Sequence, residues 1–485
     1  MKGRANTLLA EAGGYLLFRV GVLATLTLLL TVVCASTAWS AIFTVTSTND
    51  SGPGSLRAAI EAANASAGAD EIVFADSVSG TITLASALPT VTDGAGLTID
   101  GGGDVTVSGN DAVQVFVVGQ GARLDLRNLT VSGGRATFED QFGGGIFNDG
   151  GTLVVTDSTI SGNSNSSSLR GGGIFNAEGG LVEVSGSTIS GNRAELGSGG
   201  GIYNEQGGTV IVTDSTVHNN EAADVGGGVF NDRGGKVEVE DSTFSINHAS
   251  DGGGGGIFNS GALSVTSSTF SANDSDVTAG GIENQDGTLT VTNSTFWANN
   301  ATQAGGAILN SLGVLDVTNS TFSGNSSGEG AGGVHSRFGA TLRSTIVADN
   351  AGGNCLGLIT DGGYNVDDDG TCGFTQATGS LPNTNPLLDP AGLQDNGGPT
   401  QTIALQPESP AVDLVGQGAC PPPTTDQRGV QRPQGESCDS GAFELVQQPP
   451  KPTTKEECKK GGYKEFGFKN QGRCIAFVNR SARDQ

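Results

Sequence analysis

Residues 143–148 read GGGIFN, and the block returns at 171–176, at 199–204 with Tyr203 for Phe, at 226–231 and at 254–259. Weaker copies follow at 279–284, 305–310 and 331–336. Their apolar anchors, from Ile146 and Ile174 to Ile308 and Val334, lie 25 to 28 residues apart. A second block, DSTISGN at 157–163, is interleaved with the first and recurs at 186–192, 214–220, 241–247, 267–273, 293–299 and 319–325. Self-similarity at this period marks a stack of units, none of which can bury its apolar face alone.

One unit parses physically. Three glycines allow a bend, and Ile146 and Asn148 then point to one side of a strand with Phe147 on the other. After a turn at Gly150 and Gly151, Leu153 and Val155 face inward. Asp157 and Ser158 make another turn, and a third short strand runs from Ile160 to Asn163. Three strands and three turns in one unit predict a coil of an all-β parallel β-helix, a solenoid of about ten coils and roughly 50 Å long.

Composition agrees. Gly supplies 80 of 485 residues, over twice the usual share of about 7%, as a turn-dense coil requires. A formal charge of −26 leaves no basic stripe for nucleic acid. Lys2, Arg4 and Arg19 precede an apolar run at 20–33 and small residues around Ser36, Ala38 and Ser40. This is the pattern of a secretory signal peptide over 1–40, cleaved after Ala38 or Ser40. No later segment is long and apolar enough to span a bilayer, so no membrane span is expected in the mature chain.

Six cysteines remain beyond the leader: Cys355, Cys372, Cys420, Cys438, Cys458 and Cys474. An even count in an exported chain favours disulfides, and local loops favour nearest-neighbour pairing among several connectivities.

The chain divides into the leader (1–40), a cap with irregular coils (41–134), the regular repeats (135–350), a region that breaks the period (351–446), a Pro-rich linker (447–454) and a small basic Cys-containing module (455–485). In the second, SLRAAIEAANA at 55–65 has helical spacing and Ser55 as N-cap, well placed to cover the open end of the stack.

The segment FTVTSTNDSGPGSLRAAIEAANA (43–65) is similar to the CSLREAI-type leader of bacterial extracellular β-helix proteins. The repeat blocks resemble right-handed β-helix repeats of polymorphic outer-membrane-type proteins, and right-handed winding is what that resemblance implies. GGYNVDDDGTCGF (362–374), NPLLDPAGLQDNGGPTQTIAL (385–405), TDQRGVQRP (425–433) and CDSGAFEL (438–445) resemble, in order, the choice-of-anchor Q domain of secreted bacterial proteins. The resemblance implies a secreted or cell-surface location, although no LPxTG-type sorting motif is present.

Three columns are candidates for chemistry. Asn148, Asn176, Asn204, Asn231 and Asn259, and separately Asn163, Asn192, Asn220 and Asn247, should stack as structural amide ladders. Phe147, Phe175, Tyr203, Phe230 and Phe258 should lie outside the core, where an aromatic stripe could stack on sugar rings or where the rings could stack on each other and shield the Gly-rich turns. Asp214 and Asp241 should be neighbours about 4.8 Å apart, a repulsion that Ca²⁺ would relieve. Asp367 and Asp369 form a second acidic candidate for Ca²⁺. No cofactor is required by any motif. GxSxG, HExxH and the P-loop are absent.

The leading expectation is an exported, monomeric, non-catalytic β-helix protein with a surface, adhesive or binding role toward a glycan or surface protein. The alternatives are a polysaccharide lyase or glycoside hydrolase working along the β-helix face, and a structural spacer.

Overall fold

The computed structural model describes residues 40–137, 142–166, 171–416, 418–420, 423–446, 452, 454–464 and 466–481. The signal-peptide expectation and most of the Pro-rich linker lie outside them.

An unbroken parallel ladder runs from Ile42–Val45 to Cys355–Asp361. Equivalent residues pair from coil to coil: Ile174 lies between Ile146 and Ile202, and Val182 between Leu153 and Val210. Ile146, Leu153, Val155 and Ile160 are all fully buried, and the same positions in later coils build one continuous core. Each residue pair thus stacks apolar on apolar, which is why a coil that could not fold alone is stable in the array.

The coil has four strand segments, where the sequence reading expected three. Those of the first regular coil are Ile146–Asn148, Thr152–Thr156, Thr159–Ser161 and Ser164–Asn165. The third does not reach Asn163. That residue turns the chain with its side chain inside, and the two-residue fourth strand joins a separate eight-stranded sheet. Two paired residues per coil carry too little alternation to be read from sequence.

Both Asn columns are fully buried. Asn148 Nδ2 donates to Asn176 Oδ1 (2.7 Å) and to the turn carbonyl of Gly151 (3.0 Å). Asn163 Nδ2 donates to Asn192 Oδ1 (2.9 Å), and Asn163 Oδ1 accepts from Gly134 N (2.8 Å). The amide-to-amide bonds all run toward the C-terminal end of the stack, and the second column also donates back to the preceding coil, as Asn163 Nδ2 does to Val131 O (3.2 Å). The second column continues through Asn325 and Asn350 to Asn354, whose Nδ2 donates to the carboxylates of Asp367 (2.7 Å) and Asp368 (2.6 Å). An aligned donor chain ending on a carboxylate is satisfied at both ends.

Asp157, Asp214, Asp241, Ser267, Asn293 and Asn319 all have φ between 47° and 49°. The first position of the DSTISGN block is therefore a left-handed turn residue, which explains why Asp, Asn, Ser and, at 186, Gly exchange there.

The helix α1 (Leu56–Ala65) buries Leu56, Ala59, Ile60 and Ala63 over the first coils, and Ser55 Oγ accepts its first-turn bond from Ala58 N. At the other end the chain does not simply stop. Residues 386–445 fold back along the outside of coils 267–349. There Phe443, Ala411 and Leu405 pack on Ile346 and Ala348. Disulfides Cys355–Cys372, Cys420–Cys438 and Cys458–Cys474 close three local loops, the nearest-neighbour pairing. No described helix is long and apolar enough to cross a membrane.

Candidate functional site

The folded-back segment, hereafter the cover, sits on the outward residues of the strands Thr269–Ser271, Thr295–Trp297 and Thr321–Ser323. Thr269 Oγ1 donates to Gln401 O (2.6 Å) and Thr295 Oγ1 to Gln427 Oε1 (2.7 Å), while Thr321 Oγ1 accepts from Ala442 N (3.0 Å). Gln427 Nε2 returns bonds to Thr269 Oγ1 and Thr400 Oγ1, each 2.9 Å. Inside the cover, Arg432 and Glu444 are a fully buried ion pair at 2.9 Å. Arg428 bonds Asp426 at 2.6 Å and lies 3.5 Å over the Phe443 ring. Asp439 is pushed up to about 7 by burial and by Glu444. The charged residues of the 425–433 and 438–445 blocks thus bond one another and hold the cover together.

Where the cover meets the coils it leaves a cleft of about 350 Å³, lined by Trp297, Asp349, Asn385, Asp389 and Gln406 together with Leu387, Leu388 and Ile403. Trp297 occupies an outward position held by Ser271 one coil earlier and Ser323 one coil later. Small neighbours and Gly324 give the indole room. A Cβ on Gly324 or Gly392 would stand 3.4 or 3.5 Å from its Nε1. The opposite wall is an antiparallel hairpin, Leu388–Gln394 with Thr402–Leu405. Its polar residues are set by local bonds: Asn385 Oδ1 accepts from Leu387 N (2.8 Å), Asp389 Oδ1 from Ala391 N (2.9 Å), and Gln406 Nε2 donates to Leu388 O (2.9 Å). The Asp349 carboxyl is held above its ordinary range by burial and by Asp368. No Lys, Arg or His lines this cleft.

The sequence reading missed Trp297. Its signal was present: TFWANN at 295–300 replaces the small residue that every other copy carries between Ile/Phe and the turn, His218 excepted.

The aromatic column lies outside the core, and its rings pack on one another, as one of the two readings of the column expects. Phe175 is 1% exposed, and the other four rings are half-buried. Ring centroids stand 5.0 Å apart for Phe175–Tyr203, 4.6 Å for Tyr203–Phe230 and 5.5 Å for Phe230–Phe258, while Phe142 packs on both Phe147 and Phe175. From Phe175 to Phe258 the rings of successive coils lie within 30° of parallel, because the coil rise is close to the stacking distance, while Phe147 is tilted by 59° against Phe175. The glycine bend lies against the backbone beside the column: a Cβ on Gly143 would stand 2.9 Å from Phe175 N.

The acidic candidates differ from each other. Asp241 is pushed up to about 6 by burial, by Glu240 and by Asp214, so the expected repulsion between Asp214 and Asp241 is present. Asp367 accepts from Asn354 Nδ2 and from Cys372 N (3.0 Å), and Asp369 from Thr371 and Asn354 N. These carboxylates already serve protein donors. Among the described residues a further mixed group, His248 with Asp274 (3.1 Å) and Asp276 (3.6 Å), brings ligand-type atoms together.

Glu283 and His335 continue the aromatic column, two coils apart, with fully buried Leu309 between them. Burial raises the Glu283 carboxyl and lowers His335, yet the intervening leucine keeps them from acting as an acid–base pair.

Residues 89–244 match the family model described as "Right handed beta helix region". With the parallel ladder already described, the match settles the winding. The protein is a right-handed parallel β-helix. No curated protein matches this β-helix chain in sequence. Among solved structures it is similar to "Crystal structure of pectate lyase Pel9A", at 14% identity and a TM-score of 0.43, covering 83% of this chain and 96% of that one.

Proposed function

We propose that the protein is an exported, non-catalytic binding protein that takes a neutral glycan in the cleft around Trp297. The cleft itself carries the reading. An indole face stacks on the C–H face of a sugar ring, while Asp349, Asp389, Asn385 and Gln406 offer acceptors and donors for hydroxyl groups. With carboxylates and no cation in the lining, an acidic sugar would meet repulsion and a neutral one would not. The β-helix spaces the cleft from whatever holds its other end. Three disulfides fit an oxidising compartment, and a leader over 1–40 with a choice-of-anchor Q region over 351–446 completes the picture of a secreted or cell-surface protein.

The test is a glycan array on the mature protein and on Trp297→Ala. Binding to neutral glycans should fall about tenfold or more in the variant, as loss of a central aromatic anchor does. Equal binding by both proteins would remove the cleft from the account.

A second reading rests on one observation: two carboxylates, Asp349 and Asp389, line the same cleft. Glycoside hydrolysis uses such a pair, and the raised Asp349 would serve as its proton donor. Release of reducing ends from a bound glycan, abolished by Asp349→Asn, would establish it in place of simple binding. Lyase chemistry has less support, because the lining holds no Lys, Arg or His to serve as a base or to neutralise a substrate carboxylate.

A further inference from the structure

The last segment of the chain reverses the sign of everything before it. Residues 451–485 carry nine Lys or Arg and four Asp or Glu, a net +5, while residues 1–450 sum to −31. The described part is a small unit with its own core. Cys458, Cys474 and Val478 are buried at its centre, with Tyr463, Phe466, Phe468, Ile475 and Phe477 packed around them. The Cys458–Cys474 disulfide ties the turn region to helix α2 (Gln471–Ser481). The aromatic side chains pack against this core and remain half-buried.

What goes outward is positive. Lys455, Lys459, Lys460, Lys464, Lys469, Arg473 and Arg480 are all exposed. Of these, Lys459 bonds Glu456. Arg473 and Arg480 stand seven residues apart on α2, so they share a face about 10 Å apart.

We infer that this module is a docking surface for an anionic polysaccharide. Charge complementarity points to a polyanion: the acidic β-helix is repelled by it, so the module alone would make contact and the long axis would project away. Burial separates a polymer from a membrane. None of the exposed large apolar side chains among the described residues falls within 454–481, and the half-buried rings are packed on the module's own core, so the module presents no free apolar wedge to lipid. The disulfide fits an extracellular partner rather than an intracellular nucleic acid. This inference stands apart from the Trp297 reading, since the two surfaces use opposite charge.

The experiment uses the full mature chain with soluble alginate as probe, at low (about 50 mM) and high (about 500 mM) NaCl. Neutral dextran, vesicles containing anionic phosphatidylglycerol, and single-stranded DNA form the other arms. The expected result is alginate binding at low salt that is lost at high salt, with weaker binding in each other arm. The variant K455E/K464E/K469E/R473E should lose about tenfold or more in alginate affinity. Mass analysis after alkylation checks that its Cys458–Cys474 disulfide has formed; if it has not, the lysine-to-glutamine and arginine-to-glutamine set replaces it. No alginate binding at low salt, unchanged binding in the charge variant, or tighter binding to vesicles or DNA than to alginate would each overturn the inference.

Discussion

The coils from 157 to 247 and those from 267 to 349 repeat one sequence pattern and meet different surroundings. In the first group Thr159, Thr188, Thr216 and Thr243 are half-buried on an open face. In the second, Thr269, Thr295 and Thr321 hold the same position and are fully buried beneath the cover. The inward residues change one coil earlier: Ile160, Ile189 and Val217 give way to Phe244, still in the open group, and then to Phe270, Phe296 and Phe322, with rings stacked 4.7 to 4.9 Å apart. A repeat motif therefore fixes where a side chain points but not what it meets. The same threonine is a solvated edge in one half and a bonding partner in the other.

The most damaging change should fall on the buried pair that holds the cover. Glu444→Gln leaves Arg432 charged and fully buried, a loss of about 3–5 kcal/mol. Denaturant unfolding should show an early transition, and limited proteolysis should release fragments from 386–445 while the coils before 267 stay intact. If both halves unfold together, the cover is not a separable layer.

A matched pair of substitutions tests the contrast directly. Thr295→Val strands Gln427 Oε1 in a buried site and should cost about 1–3 kcal/mol. Thr188→Val, at the equivalent open position, should change stability by less than about 0.5 kcal/mol. Equal costs in thermal unfolding would mean that the two faces are alike after all.

The smallest effect is pH-dependent and belongs to the open half. Burial, Glu240 and Asp214 push the Asp241 carboxyl up to about 6 in the folded protein, above the ordinary 3.8 of a free aspartate. A raised carboxyl pKa means that the charged form disfavours the fold. Stability should therefore rise as pH falls from above 6 toward 4, and Asp241→Asn should flatten that slope. Asp241 is only half-buried, so solvent screening keeps the change small. A slope in the asparagine variant equal to that of the wild type would assign it elsewhere; the Asp439 carboxyl, near 7, is the alternative source.

The strand positions, the inward Ile, Val and Leu, and the stacked Asn columns were legible because each returns with every coil. So was the helix α1, from its spacing and its Ser55 cap. The fourth strand was too short to show alternation. The aromatic column was legible as an outward stripe whose rings either stack on each other or face a ligand; the mutual packing follows from the coil rise, which brings rings of successive coils together. The Trp297 cleft was missed because a single departure from a repeat looks like ordinary variation until something is built against it.

Sequence by itself determined the solenoid, since a period of hydrophobic anchors and turn residues leaves one economical way to bury them. Only the tertiary structure decided which coils are covered and where the cleft lies. Those contacts join residues such as Thr295 and Gln427, 132 positions apart. They follow no period, and they arise from shape and polar complementarity between an aperiodic segment and a regular face.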